Sequence, residues 1–210
     1  MPLINDFLTP TSCQLAIWDI VESLDELHEH ISLTTALKEQ LDIRKTDTGK
    51  KGFLAVRLAF QSMGFPLSDL SFTVDGEPKL SHAFCSLSHS QRYAVSARGE
   101  MPIGVDIEVY REQIVNIAAK FVHPNEQASI IAENQIKCLT RLWTAKEAIY
   151  KAMHHPGLAF ATQIEVAPFS LSDSSGSAQV HLADKTHKFM LQFNTFNQHE
   201  LTLAQLIPTQ

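Results

Sequence analysis

The 210-residue chain has few cysteines and no long apolar run. Cys13, Cys85 and Cys138 lie far apart in the sequence, without C-x-x-C spacing, which argues against a disulfide framework or a zinc site and favours the cytoplasm. The first ten residues lack the basic and apolar regions of a signal peptide, and the most apolar later stretch, FLAVRLAF, is interrupted by Arg57. We therefore expect neither a signal peptide nor a membrane span.

The chain also lacks an excess of positive charge. It contains 17 Lys and Arg residues against 23 Asp and Glu residues, which gives a formal net charge of −6. A general nucleic-acid binder needs a broad basic surface, so this balance argues against nucleic acid as a partner, although it allows a local phosphate site. The hydrophobic content of 44% is enough for one large domain or two small ones.

Hydrophobic periodicity predicts alternating groups of strands and helices. Helices are predicted at 23–41, 53–64, 112–120, 125–133 and 136–153. Strands are predicted at 14–20, 70–74, 84–90, 93–97, 103–110, 163–167, 178–183, 189–193 and 200–207, with the three consecutive runs at 84–110 expected to form one antiparallel sheet. This order predicts an α+β fold of two similar α/β halves, 1–100 and 101–210, each a small sheet packed against helices, with the active site at their junction.

The segment GVDIEVYR contains two acidic residues in a predicted strand. Asp106 and Glu108 are two positions apart, so they project on the same side of the strand, while Val105 and Ile107 occupy the other side. Like charges held this close repel unless water, a cation or basic residues screen them. A solvated edge strand explains such a pair by itself, because a site for a hard cation needs more oxygen ligands.

The predicted helix at 136–153 supplies a third carboxylate. Trp143, Glu147 and Lys151 are spaced i, i+4, i+8 and share one face, with Lys146 about 100° round the helix. An ordinary surface pair of Glu and Lys is the simpler reading of this helix alone. Together with the acidic pair of the strand, however, three carboxylates plus phosphate and water can satisfy an octahedral Mg²⁺, and the two lysines could face phosphate beside it.

These segments resemble a known enzyme family. GVDIE at 104–108 and WTAKEAIYKA at 143–152 are similar to the paired signature G-[IV]-D-[IV]-E and W-[ST]-x-K-E-A-x-x-K-A of 4′-phosphopantetheinyl transferases of the surfactin-synthetase-activating (Sfp) type. SLSHSQRYAVSA resembles the family's N-[IL]-S-H-S segment, FVHPNE its F-F-x-x-x-E segment and GEPKL its G-K-P turn. The resemblance covers residues 76–158 in similar order and spacing.

The resemblance implies an activity and its partners. Such an enzyme transfers the 4′-phosphopantetheine arm of its substrate coenzyme A to a serine of an apo acyl, polyketide or peptidyl carrier protein and releases adenosine 3′,5′-bisphosphate. It also implies Mg²⁺ as cofactor and a monomer whose halves are related by pseudo-twofold symmetry. A Mg²⁺-dependent phosphohydrolase would use the same carboxylates to deliver water, and a non-catalytic accessory protein that binds coenzyme A would need only the basic residues and His89.

The resemblance also assigns roles at the reacting centre. Asp106 and Glu108 are implied to bind Mg²⁺, and Glu147 either completes the metal ligands or acts as the base toward the carrier serine. Lys151 is expected to stabilise the transferred phosphate or the leaving group, with Lys146 nearby.

Further residues are predicted to contact coenzyme A. His89 resembles the family histidine at a coenzyme phosphate, and Ser88 and Ser90 beside it are candidate turn residues or phosphate donors. The 3′-phosphate needs several donors, and the basic connector IRKTDTGKKG offers Arg44, Lys50 and Lys51, although a solvated start of a helix explains these cations equally well.

The chain departs from the family pattern at two places. Glu77 stands where the family usually has a lysine near coenzyme A phosphate, although Lys79 is close enough to substitute, and Cys85 and Ser86 replace a more usual pattern. Glu126 resembles a family acid that supports the metal or the base, but an acid at a helix N-terminus is an equal explanation.

Contact with the acidic carrier protein is expected to be local and mainly apolar, because both proteins are negatively charged. Lys120, Phe121 and Met153 are the candidate contact residues.

Overall fold

The computed structural model describes residues 3–4, 13–183 and 185–208. The strands are β1 (Leu3–Ile4), β2 (Cys13–Asp19), β3 (Ser71–Phe72), β4 (Pro78–Lys79), β5 (Phe84–His89), β6 (Tyr93–Gly99), β7 (Ile103–Val109), β8 (Ile164–Val166), β9 (Ser175–Leu182), β10 (Lys185–Phe196) and β11 (His199–Ile207). The α-helices are α1 (Leu24–Glu29), α2 (Thr35–Asp42), α3 (Asp47–Ser62), α4 (Ile114–Ile117), α5 (Gln135–Met153) and α6 (Phe160–Gln163). Short 3₁₀ helices span Leu67–Asp69, Ala118–Lys120, Pro124–Ser129 and Ala132–Asn134.

The predicted helix at 23–41 is two helices, because the sequence places a capping residue inside it. Thr34 has extended backbone angles, and its side chain accepts a hydrogen bond from Leu37 N, which starts α2 anew. A second capping residue makes the next helix begin earlier in the sequence than predicted. The Thr46 side chain accepts from Gly49 N, so α3 begins at Asp47 and includes much of the segment predicted as a basic connector.

The first sheet has the order β1-β2-β6-β5, and all its pairs are antiparallel. Helix α3 packs on β6 and β2. Its apolar face, including Phe53 and Leu54, forms a core with Trp18 and Ala94 of these strands. This burial explains why α3 is the most apolar stretch of the chain.

The second sheet has the order β7-β11-β10-β9-β8 and is also antiparallel. Strand β7 pairs with β11, with Asp106 opposite Thr202, so the prediction that the runs at 84–110 form one sheet is wrong for the third run. Helix α5 packs on β7 and β11. The structure is thus α+β, with a small sheet and a long helix in each part of the chain.

The two sheets meet where β5 lies beside β7. Neither ladder contains a pairing of these two described strands. The Ser86 hydroxyl instead accepts a hydrogen bond from Val105 N at 3.0 Å, and the Ser88 hydroxyl accepts from Ile107 N at 3.4 Å. A shared core that includes Ile17, Tyr93, Val95, Val105 and Leu203 fills the space where strands from both sheets meet. Among the described residues, no helix has both the length and the apolar character needed to cross a membrane.

Helix α5 lies so close to β7 that only glycine fits at position 104. A Cβ on Gly104 would overlap the Ala148 carbonyl oxygen and lie 2.8 Å from Ala152 N. Both atoms belong to the helix backbone, which cannot move aside as a flexible side chain can.

Gly104→Ala should therefore destabilise the protein by about 3 kcal/mol or more, because the strand and helix must separate to admit the methyl group. Urea unfolding followed by circular dichroism measures this loss. Gly49→Ala is the control, since the added Cβ would contact only side-chain atoms, 3.1 Å from Thr46 Oγ1 and 4.0 Å from Arg44 Cβ. We expect that control to change stability by less than about 1 kcal/mol. Equal effects of the two substitutions would contradict the argument.

Candidate active site

Asp106 is a buried, hydrogen-bonded carboxylate at the junction between the two sheets. It is only 5% exposed. Its Oδ1 accepts hydrogen bonds from Ser88 Oγ at 2.7 Å and from Lys151 Nζ at 2.7 Å. Its Oδ2 is buried and has no hydrogen-bond partner among the described residues. The acidic pair is therefore not the solvated edge that the simpler interpretation required.

Two further carboxylates, on β7 and α5, lie near Asp106. Burial, and next the charge of Asp106, raises the pKa of Glu108 above its ordinary value, although Arg111 pairs with it at 2.8 Å. Burial, and next Asp106, raises the pKa of Glu147 to about 7, against the opposing effect of Lys151. Each of these two carboxyl groups thus resists ionisation, first because it is buried and next because Asp106 is close.

The donor set is suitable for a hard cation. Within residues 3–4, 13–183 and 185–208, no group of three or more His, Cys, Asp or Glu side chains is already arranged around a metal position. However, the partnerless oxygen of Asp106 and the mutual repulsion of the three carboxylates are features that a bound cation would relieve. The residues therefore fit Mg²⁺ by chemistry.

Lys146 and Lys151 have different surroundings although both belong to α5. Lys151 Nζ bonds Asp106 Oδ1 and, at 3.0 Å, the Val105 carbonyl. Lys146 is completely buried and donates to the carbonyl oxygens of Phe121, Phe160 and Ile164 at 2.7, 2.9 and 2.8 Å. It therefore has no proton left for a phosphate.

Glu126 is the ion-pair partner of Lys146, at 2.9 Å, and both side chains are fully buried. Its carboxylate also accepts from His123 N at 2.7 Å, as the cap of a short helix, and from Val166 N at 2.8 Å. This pair holds the core of the second sheet together. The prediction that Lys146 faces phosphate is corrected here, and Glu126 acts as the capping acid of the alternative interpretation.

A cleft of about 410 Å³ lies between α3, β5 and the loop before β4. Its positive or titratable groups are those of Arg44, Arg57 and His89, and its aromatic surface comes from Phe53 and Phe72. No carboxylate is among its described lining residues. A hollow of about 270 Å³ adjoins it, since both contact Gly76, Pro78 and Leu87. Lys151 lines this hollow, together with the acidic residues Asp75 and Glu77. The cleft and the hollow together can therefore hold an extended molecule between the arginines and Lys151.

Arg57 is a residue that the sequence analysis did not assign to a site. It is 3% exposed, its guanidinium lies 3.3 Å from the Phe53 ring centroid, and its Nε has no partner among the described residues. Burial, and next the charge of Arg44, lowers the pKa of Arg57. The sequence feature that could have identified Arg57 as a site residue is that it interrupts the apolar run FLAVRLAF.

The predicted cations of the connector divide between two places. Arg44 lines the cleft, and its guanidinium lies 4.0 Å from the Phe53 ring centroid. Lys51 Nζ instead donates to the Glu22 carbonyl at 2.7 Å, and neither Lys50 nor Lys51 is among the described residues lining the cleft.

His89 lines the cleft at the end of β5. A Cβ at Gly52 of α3 would lie 2.6 Å from Cγ of its imidazole, so the small residue provides room for the ring. Desolvation by the surrounding protein, followed by the charges of Lys151 and Arg44, lowers the pKa of His89. Ser90 is buried nearby, and its amide donates to the Tyr93 carbonyl at 2.8 Å, so it is part of the turn.

Glu77 is paired with one cation, because it forms an ion pair with Lys79 of the hairpin that β3 and β4 form. His154 Nε2 lies 3.2 Å from its Oε1, but burial lowers the pKa of this imidazole. The ion pair thus holds the Lys79 ammonium close to residue 77, the position where the family pattern has a lysine.

Comparison with known proteins identifies the superfamily of the chain. The model of the 4′-phosphopantetheinyl transferase superfamily matches residues 102–205, and the chain belongs to this superfamily. It is 34% identical over 135 residues to a 4′-phosphopantetheinyl transferase of Bacillus subtilis, covering 62% of this chain and 58% of that protein. It is 37% identical over 71 residues to 4′-phosphopantetheinyl transferase gsp of Aneurinibacillus migulanus, covering 32% and 30%. It is 32% identical over 77 residues to 4′-phosphopantetheinyl transferase Sfp of Bacillus subtilis strain 168, covering 35% and 34%. The chain thus spans less than two thirds of each of these relatives.

The raised pKa of Glu147 predicts a pH dependence of stability. Its carboxyl binds a proton more tightly in the folded protein than in the unfolded chain, so the free energy of unfolding should fall as pH rises from about 4.5 to about 7. Glu147→Gln removes this penalty. Without divalent cations, the variant should therefore melt a few degrees above the wild type at pH 8, and the difference should shrink toward pH 4.5. Thermal unfolding at several pH values measures this, and a difference independent of pH would contradict it.

Proposed function

We propose that this protein transfers the 4′-phosphopantetheine arm of coenzyme A to a serine of an apo carrier protein. The observation that carries the proposal is the placement of Asp106, Glu147 and Lys151 beside a basic, apolar cleft in a chain of this superfamily. In the proposed reaction, the serine oxygen bonds to the phosphorus that carries the pantetheine arm. The pyrophosphate P–O bond breaks, and adenosine 3′,5′-bisphosphate leaves.

Glu147 is the proposed base for the serine proton. A pKa of about 7 is suitable, since the carboxylate is then partly available at neutral pH and still basic enough to take a proton. Lys151 is proposed to balance negative charge on the phosphates from its position against Asp106. Glu147 also remains a candidate metal ligand, in which case a water would carry the proton.

Asp106 and Glu108, with Glu147, are the proposed ligands of Mg²⁺. Bound Mg²⁺ would supply neutralisation of the charge that develops on the leaving phosphate. The support for this assignment is that the buried Asp106 Oδ2 has no hydrogen-bond partner among the described residues, and that burial and the charge of Asp106 raise the pKa values of Glu108 and Glu147.

Coenzyme A is proposed to lie in the 410 Å³ cleft. Arg44 and Arg57 would contact the 3′-phosphate, and His89 the pyrophosphate nearer to Lys151. The adenine and ribose would contact the apolar walls. This replaces Lys50 and Lys51 as the main phosphate donors, because these lysines do not line the cleft.

The carrier protein is proposed to dock beside Glu108. Phe121 is completely buried in the core and Met153 is half-buried against it, so neither suits the role of an anchor, whereas Lys120 is exposed. A groove of about 250 Å³ adjoins Glu108 and includes the apolar side chains of Ile114, Ile117 and Trp143. An apolar helix presented here would place its serine near the carboxylates.

We further propose a cytoplasmic monomer whose halves, 1–100 and 101–210, are related by pseudo-twofold symmetry. The support is that each half contributes one antiparallel sheet of four or five described strands and one long helix, and that Cys85 and Cys138 are free, buried thiols.

Incubation with coenzyme A, Mg²⁺ and several apo carrier proteins should add one phosphopantetheine arm to a carrier serine, detected by intact-protein mass spectrometry. Asp106→Asn should reduce this transfer at least about a hundredfold while the protein stays folded, because it removes a charged ligand. Cleavage of coenzyme A without any carrier adduct would show a phosphohydrolase, and binding without cleavage would show an accessory protein.

Arg44→Met and Arg57→Met should each raise KM for coenzyme A more than they lower kcat, because they remove a charge that contacts the substrate in ground and transition state alike. Coenzyme A lacking the 3′-phosphate should be less sensitive to both changes. Lys50→Met with Lys51→Met is the matched double control and should alter KM little. The opposite pattern, with only the lysine variant affected, would place the 3′-phosphate outside the cleft.

A further inference from the structure

The β3–β4 hairpin, residues 71–79, forms a wall of both the cleft and the hollow. Residues 72–74, Gly76 and Pro78 line the cleft, and residues 75–78 line the hollow. The two strands form a sheet of their own, in which residue 71 pairs with residue 79 and residue 72 with residue 78. A hairpin this small is at best marginally stable alone in water, so its contacts with the rest of the protein must fix its position.

The two long helices each contact this hairpin through one side chain. Within the hairpin turn, Thr73 N donates to the Glu77 carbonyl at 2.9 Å, and Glu77 N donates to Thr73 Oγ1 at 3.1 Å. From outside, the Arg57 guanidinium of α3 lies 5.3 Å from the Phe72 ring centroid. Nε2 of His154, at the end of α5, lies 3.2 Å from Oε1 of Glu77. This second contact links the hairpin to the helix that carries the proposed base.

His154 occupies a backbone position that favours glycine. It is the C-cap of α5, with φ 45° and ψ 43° in the left-handed region, and its amide donates to the Tyr150 carbonyl at 3.0 Å. Glycine is the usual residue at a helix end of this geometry, because a Cβ strains the left-handed conformation. The chain therefore keeps a side chain where the backbone alone favours none, and that side chain contacts Glu77.

Glu77 is an unexpected residue on the wall of a site for an anion, because a free carboxylate beside the hollow would repel phosphate. Its side chain is only 17% exposed, and an ion pair with Lys79 offsets its charge. Nε2 of an imidazole can carry a proton in the neutral as well as the charged form, so the contact with His154 does not require a charged histidine. These partners suit Glu77 to holding the hairpin in place.

We propose that His154 and Glu77 are positioning residues that fix the β3–β4 hairpin as a wall of the coenzyme cleft. Their contact joins the hairpin to the end of α5, and so it keeps the wall at a constant distance from Glu147 and Lys151 of the same helix. Neither residue is assigned a contact with the reacting atoms. This inference rests on the proposed function, since it concerns the same cleft.

Hydrogen–deuterium exchange of residues 71–79, without coenzyme A, tests the anchoring independently of turnover. His154→Gly removes the imidazole and relieves the left-handed backbone, so hairpin amides should exchange about fivefold faster while the melting temperature does not fall. Glu77→Ala removes the other partner without touching α5 and should accelerate exchange to the same extent. It also keeps the proposal testable if the glycine variant fails to fold.

Gln198→Gly is the matched control. Gln198 is exposed, has a left-handed φ of 63° in the turn between β10 and β11, and is not among the described residues lining the cleft or the hollow. This substitution relieves the same kind of backbone strain and should leave the exchange of residues 71–79 unchanged.

The kinetic constants show whether the position of the hairpin matters to the substrate. His154→Gly should raise KM for coenzyme A about fivefold and leave kcat within about twofold of wild type, because the wall contacts the substrate in ground and transition state alike. In a Glu77→Ala background the same substitution should change KM little, since the contact is already lost. A merely structural role of His154 would not depend on residue 77 in this way.

Three results would overturn the proposal. Unchanged hairpin exchange in His154→Gly would show that other contacts hold the hairpin. An equal rise in KM with and without Glu77 would assign the effect to the end of α5 itself. Faster exchange throughout the chain, with a lower melting temperature, would show general damage. Faster exchange confined to the hairpin, in a protein that neither binds nor cleaves coenzyme A, would confirm the anchoring and overturn the proposed function, so the two failures are distinguishable.

Discussion

The candidate site depends on the close approach of strand β7 to helix α5. At their crossing, a residue larger than Gly104 would overlap the backbone of Ala148. Asp106 lies two residues along the strand from this point, and Lys151 lies three residues along the helix. The crossing therefore brings an acid and a base into direct contact at 2.7 Å, although they are 45 positions apart in the sequence. The glycine of GVDIE thus has a steric role that is separate from the chemistry of its neighbours.

The same crossing keeps together charges that would otherwise separate. Three carboxylates are near each other, while Lys151 is bonded to Asp106 and Arg111 to Glu108. Buried like charges oppose folding, so the packing of α5 against β7 and β11 must offset their repulsion. Sites that bind charged substrates commonly show this arrangement, since the cost in stability is recovered when the ligand binds.

Local patterns predicted most of the elements and the acidic cluster, but not the features that depend on distant partners. Alternation predicted β7 as a strand, yet its pairing with β11 joins residues about a hundred positions apart, which no local pattern encodes. Lys146 and Lys151 both occur in the family motif, and only the fold shows that one pairs with the buried Glu126. Arg57 was overlooked because a single cation in an apolar helical pattern does not by itself indicate a binding site. Thr34, by contrast, was a readable capping signal within the predicted helix at 23–41.

The bridge between β5 and β7 has a consequence for how this architecture can vary. In a continuous sheet, neighbouring strands stay about 4.8 Å apart because the backbone ladder fixes their spacing. Here two hydroxyl groups stand between the strands, so side-chain length sets the separation of the two sheets. One substitution at residue 86 can change that separation while both ladders stay intact. The spacing of the two sheets can thus be adjusted by point mutation, without insertion, deletion or a change of register.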